Sequence, residues 1–165
     1  MSTVINVIPT WRPKLLTGIE ISLLLFTENE VIYVKKAGNP DKKNPLPISI
    51  FKSLALIFFG FKVKEFKEKI RSLKGQKINV QEVIEHSGKG SYTIPYNEIS
   101  QIEVKAPSFL GKGTTRIIIT TKNGRKHEYN VGPADLFREY TKEELYNKII
   151  NDLKNIPKIR ELVKT

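Results

Sequence analysis

A chain of 165 residues with 39% hydrophobic and 27% charged residues lies in the single-domain range and can bury a core, which argues against wholesale disorder. It has no cysteine, so disulfides and thiolate metal sites are excluded and an intracellular, cytoplasmic setting is expected. Its 28 Lys and Arg against 17 Asp and Glu give a formal net charge of +11, an excess that favours anionic partners. A lysine-rich surface of the thermophilic kind would bring matching glutamate, and here glutamate falls short. Residues 1–10 lack the basic-then-apolar pattern of a signal peptide.

Residues 4–8, Val-Ile-Asn-Val-Ile, predict a first strand that Pro9 and Pro13 stop. Residues 19–26 begin with alternation and end as an apolar run, and residues 31–34 resume with β-branched and aromatic side chains. Thr27-Glu28-Asn29-Glu30 lies between them, so the pair predicts a hairpin. Gly38, Pro40, Pro45 and Pro47 mark residues 37–47 as a loop. From residue 48 to 73 the period becomes helical, with Leu54, Ile57, Phe58 and Phe61, then Val63, Phe66, Ile70 and Leu73. Gly60 divides an apolar front half from a basic rear half and predicts a kink or break. Asn79 predicts the cap of a shorter helix running to about His86, before Gly88 and Gly90.

Residues 91–94 read as a strand running into Pro95, and residues 99–104 alternate between apolar and polar. Residues 116–121 and 126–131 flank Asn123-Gly124, a pair suited to the positive φ angles of a tight hairpin turn. Gly132-Pro133 opens a short turn or helix that carries Leu136 and Phe137. Thr141 and Glu144 have the spacing of a capping box, in which each side chain satisfies an exposed amide of the other. Leu145, Ile149, Ile150 and Leu153 then line one face of a helix that Pro157 stops. There is no internal repeat and no low-complexity segment.

Residues 23–35 (LLLFTENEVIYVK), 93–104 (TIPYNEISQIEV) and 116–131 (RIIITTKNGRKHEYNV) together resemble the pleckstrin-homology-like domains of the GRAM type. In that family a strand pair precedes an Ile-Pro-Tyr step, and a final hairpin leads into a helix that plugs one end of a bent barrel. The resemblance implies an α+β fold and a binding module for lipid headgroups, peptides or proteins. The expectation is one domain over residues 1–165. It would hold a bent antiparallel sheet or barrel of six to seven strands, a helical insertion over about 48–86, and a C-terminal capping helix.

Two surfaces stand out as candidate sites. Lys62, Lys64, Lys67, Lys69, Arg71, Lys74 and Lys77 form the densest basic segment, opposed only by Glu65 and Glu68. A basic amphipathic helix of this kind can lie on an anionic bilayer with its apolar face inward, each near-surface cation contributing about 1 kcal/mol. Alternatively Phe58, Phe61 and Phe66 pack on the domain's own sheet and the lysines form a solvated face. The apolar run is too short to span, since a crossing needs roughly 20 residues. The second surface is the loop of residues 107–113, where Phe109 and Leu110 next to Lys105, Lys112 and Arg116 are expected to form a wedge with a cationic collar; alternatively Phe109 folds back onto the core.

No catalytic, cofactor or metal constellation is visible. Gly111-Lys112-Gly113-Thr114 is not a P-loop, because Ala106 stands where the first Gly belongs and Gly113 where Ser or Thr belongs. His86 and His127 are far apart in sequence, and His127 reads as a surface or edge residue of a strand. The expected role is therefore non-catalytic contact with a protein partner or an anionic membrane surface. The alternative is sequence-nonspecific nucleic-acid binding, with Lys122, Arg125 and Lys126 on phosphates and Tyr92, Tyr96 or Tyr129 stacking on bases.

Overall fold

The computed structural model describes residues 1–14, 18–35, 63–108 and 113–165. Three helices and nine strands are found among them. The strands are β1 (Ser2–Lys14), β2 (Gly18–Thr27), β3 (Glu30–Val34), β4 (Lys77–Ile78), β5 (Tyr92–Pro95), β6 (Ile99–Lys105), β7 (Arg116–Thr121), β8 (Lys126–Val131) and β9 (Val163–Lys164). The helices are α1 (Val63–Leu73), α2 (Val80–His86) and α3 (Lys142–Lys154). All nine strands belong to one sheet in the order β5-β3-β2-β1-β8-β7-β6-β9, with β4 paired to the start of β1.

The sheet is mixed rather than purely antiparallel, because β9 runs parallel to β6. It has more strands than the expected six or seven, and its two ends stay unpaired, so it is not a closed barrel. It is nevertheless strongly curled. Adjacent strands lie about 4.8 Å apart, so four steps along a flat sheet would put β5 roughly 19 Å from β8. Yet the hydroxyls of Tyr92 on β5 and Tyr129 on β8 are 2.7 Å apart.

The apolar run of β2 follows from burial on both faces. Leu24 and Phe26 point to an inner core shared with Ile102, Ile117 and the α3 residues Ile149 and Leu153. Leu23 and Leu25 point outward to a second core, covered by Phe66 and Leu73 of α1 and Val83 of α2. The insertion helices are thus a roof over the outer face of β1, β2 and β3. The helical expectation over residues 48–62, including Gly60, lies outside the described residues.

Contrary to expectation, Pro9 and Pro13 do not stop the first strand. Both pair within the β1–β2 ladder, opposite Leu23 and Ile19. The Pro9 carbonyl accepts from the Gly132 N–H, so the side of Pro9 that lacks a donor faces away from β2. There β1 meets β8 only at Thr10 and Trp11, and a missing N–H breaks no ladder bond. A bulge between Val4 and Asn6 also shifts the alternation, so Val4 and Val7 share the outer core while Ile8 joins the inner one.

Other local expectations match. β2 and β3 form the anticipated hairpin, and Asn79 caps α2 by accepting from the Gln81 and Glu82 N–H groups. The capping box at Thr141 and Glu144 is complete, and α3 ends two residues before Ile156 with Asn155 at its cap. The β7–β8 turn differs from a two-residue primed turn. Only Gly124 has positive φ, at 85°, and the Asn123 side chain accepts from the Arg125 N–H. The Gly124 N–H donates to the Thr121 carbonyl, which makes a wider turn with glycine at the left-handed position.

A basic crevice between β1, α1 and α3

On α1, residues 66, 70 and 73 form the stripe that faces the sheet. Residues 67, 71 and 74 follow at the same spacing about 100° around the helix, so they flank that stripe instead of joining it. Phe66 and Leu73 are buried, and Ile70 packs beside them. The flanking stripe overlooks a crevice of about 280 Å³, floored by residues 6–9 of β1 and closed on its far side by Lys148, Ile149 and Asp152 of α3. Leu136 and Phe137 of the 3-10 turn Ala134–Phe137, with Glu139 and Tyr140 just after it, complete the lining.

The charges here separate into matched and unmatched groups. The Lys67 Nζ donates to Glu139 Oε2 at 2.6 Å, and the Lys148 Nζ donates to Asp152 Oδ2 at 2.6 Å. The Lys67 hydrogen bond, with a backbone bond and the nearby charge of Arg71, holds the Glu139 carboxyl below its ordinary pKa. Arg71 and Lys74 remain, both exposed at the crevice and without an ion pair among the described residues. Asn6 also lines the crevice; its side chain is buried on the face of its ladder partner Phe26, and its Nδ2 has no hydrogen-bond partner among the described residues. The crevice therefore offers positive charge.

The expected site residues divide accordingly. Lys67, Arg71 and Lys74 come together at the crevice, while Lys64 is exposed on α1 and Lys69 is half-buried, neither lining it. Arg116 stands apart on β7, where it pairs with Glu128 of β8 at 2.7 Å. Lys62, Phe109, Leu110 and Lys112 lie outside the described residues. Asn6 was not anticipated, although asparagine amid a valine and isoleucine strand is itself a signal.

Two further features were not foreseen. A second hollow of about 610 Å³ is lined by Trp11, Thr115, Val131, Phe137 and Leu145, and the buried Thr115 hydroxyl has no partner among the described residues. Trp11 lies against Gly132, where an added Cβ would stand 2.8 Å from its Cδ1. The second feature is an aromatic group inside the curl of the sheet. The rings of Tyr33 and Tyr92 are 5.1 Å apart, and those of Tyr33 and Tyr129 are 5.5 Å apart. His127 Nδ1 lies 3.1 Å from the Tyr92 hydroxyl, so His127 is half-buried beside this group.

Burial raises the Tyr92 and Tyr129 pKa values, and burial of His127, with the Arg125 charge, lowers that ring's. Tyr96 is buried as well, its hydroxyl donating to the Thr27 carbonyl at 2.7 Å. The tyrosines considered for base stacking are thus engaged in the fold. Among the described residues no cluster of His, Cys, Asp or Glu is placed to hold a metal ion, and no helix is long and apolar enough to cross a membrane. No protein-family model matches the chain, and no curated protein matches it.

Proposed function

We propose that the chain is a pleckstrin-homology-like binding module of the GRAM type whose basic crevice receives an acidic segment of a protein partner. Strand order supports the fold reading. An antiparallel run through β1, β2, β3 and β5 is followed by a second through β6, β7 and β8, and β8 returns to β1. The Ile94-Pro95-Tyr96 step joins the two runs, and the last hairpin leads into α3 against the inner core. A composition without cysteine fits an intracellular setting for such a module.

The observation that carries the partner assignment is the pair of exposed cations, Arg71 and Lys74, which line the crevice and make no ion pair among the described residues. Flat bilayers reward protruding cations backed by an apolar face that can enter the lipid. Over residues 63–73 that apolar face is already occupied, with Phe66 at 4% and Leu73 at 1% exposure. A carboxylate on a flexible peptide side chain can enter a recess that a bilayer surface spans. Electrostatic complementarity of this kind governs association rate and specificity more than bulk affinity.

The test compares three immobilised or sedimentable probes: oligoglutamate, anionic vesicles and mixed-sequence DNA. Salt-sensitive retention on oligoglutamate, lost in the R71E/K74E double variant, is the expected result. Tighter binding of the wild type to anionic vesicles or to DNA than to oligoglutamate overturns the assignment.

A further inference from the structure

Three cations on one stripe of α1 line the crevice, Lys67, Arg71 and Lys74. At 1.5 Å of rise per residue they span about 10 Å along the helix axis. Arg71 and Lys74 make no ion pair among the described residues, whereas Lys67 is held by Glu139 at 2.6 Å. Glu139 belongs to a short exposed stretch between two anchors: Leu136 is buried in the outer core, and Thr141 caps α3. Its bond to Lys67 bridges 72 positions of sequence and ties that stretch to α1. The other ion pair of the crevice, Lys148 with Asp152, is a local i,i+4 contact within α3.

The Glu139 contact opens easily. Both ends reach solvent, with 47% of the Glu139 side chain exposed and 26% of Lys67. Exposed pairs of this kind are favoured by about fivefold or less, because water screens them and two flexible side chains must be fixed. The carboxylate nonetheless stays ionised, since the Lys67 hydrogen bond above all, and the charge of Arg71, keep its pKa low. Glu139 is thus a lasting negative charge seated loosely on one cation of the stripe. An acidic peptide bound at Arg71 and Lys74 would bring a further carboxylate to Lys67 as an intramolecular neighbour. Residues three apart in an extended segment are separated by about 10 Å, the span of the stripe. Tethering gives that carboxylate a high local concentration, which is what displacing a loosely held one requires.

We infer that Glu139 is a built-in competitor for the partner: its carboxylate occupies Lys67 until an acidic segment displaces it, and Lys67 then becomes the third cation of the site. This rests on the acidic-partner reading above and adds to it one residue that limits affinity and one held in reserve. The competition favours segments with several acidic residues over a lone carboxylate, because only the former reach Lys67 from a foothold at Arg71 and Lys74.

Oligoglutamate of one fixed length would be titrated at low ionic strength into the full chain as wild type, Glu139→Gln, Lys67→Gln and the double variant. Glu128→Gln is the control, because it removes the same charge and releases Arg116 from a similarly exposed pair outside the crevice. The expected result is binding about two- to fivefold tighter in Glu139→Gln, a gain that vanishes when Lys67→Gln is added. Equal affinity of Glu139→Gln and wild type overturns the inference. So does an equal gain in Glu128→Gln, which reduces the effect to net charge, or a gain that survives Lys67→Gln. Each of these leaves the acidic-partner reading standing if R71E/K74E abolishes binding, whereas binding retained in R71E/K74E sinks that reading whatever Glu139 does. Should Glu139→Gln lose its native circular dichroism spectrum, Glu139→Ala is judged by the same ratios.

Discussion

Replacing Phe66 by alanine separates an internal role for α1 from a role at a bilayer. Phe66 is 4% exposed and shares the outer core with Val4, Val7, Leu25, Ile32 and Leu136. Truncating a buried phenylalanine costs about 3–5 kcal/mol, the lost transfer energy plus the cavity left behind. In a chain of this length each kcal/mol lowers the melting temperature by roughly 2–4 °C, so the expected drop is roughly 6–20 °C. Urea unfolding followed by far-ultraviolet circular dichroism should show the midpoint falling while the slope holds, the mark of lost stability rather than a changed unfolded state. Lys64→Ala, at an exposed position of the same helix, serves as control and should stay within about 0.5 kcal/mol. A Phe66→Ala melting point within a degree or so of wild type, with vesicle binding lost, would refute the placement of α1 as a roof.

Three further outcomes follow from the geometry. Thr141→Ala removes half of the capping box and should cost about 0.5–2 kcal/mol in thermal or urea unfolding; no loss would mean the box contributes nothing to α3. Gly132→Ala places a Cβ against the Trp11 ring at a φ of 144°, so it should destabilise by more than about 1 kcal/mol and shift the emission of this sole tryptophan. Burial and Arg125 hold His127 below its ordinary value of 6.5, so the unfolded chain takes up this proton first as pH falls. The stabilisation from neutral His127 is complete above about pH 6.5 and is lost as pH falls through the lower folded value. Melting curves between pH 7.5 and 5 should therefore slope less for His127→Phe than for wild type, and equal slopes would count against the half-buried placement of the ring beside Arg125.

What the sequence revealed was local. A capping box needs four adjacent residues, and the β2–β3 and β7–β8 pairs announce themselves through two runs and a short break. Features that depend on which edge of a strand is paired were hidden. Pro9 and Pro13 looked like stops because nothing in the chain tells that their missing donors face away from β2. The two-residue strands β4 and β9 carry no pattern of their own and exist only because β1 and β6 offer them an edge. The crevice needed more still. Lys67, Arg71 and Lys74 were legible as a basic helix, but Asn6 and Asp152 come from opposite ends of the chain and meet only when the sheet curls. The contact of His127 with Tyr92 was hidden for the same reason, since Tyr92 arrives from another strand.

Nitrogen-15 resolved chemical-shift mapping, with unlabelled oligoglutamate or phosphopeptide added stepwise, addresses the crevice most directly. The backbone signals of Arg71, Lys74 and Ile149 should move together. Shifts confined to the β7–β8 turn around Arg125, with Arg71 and Lys74 unmoved at saturation, would contradict it.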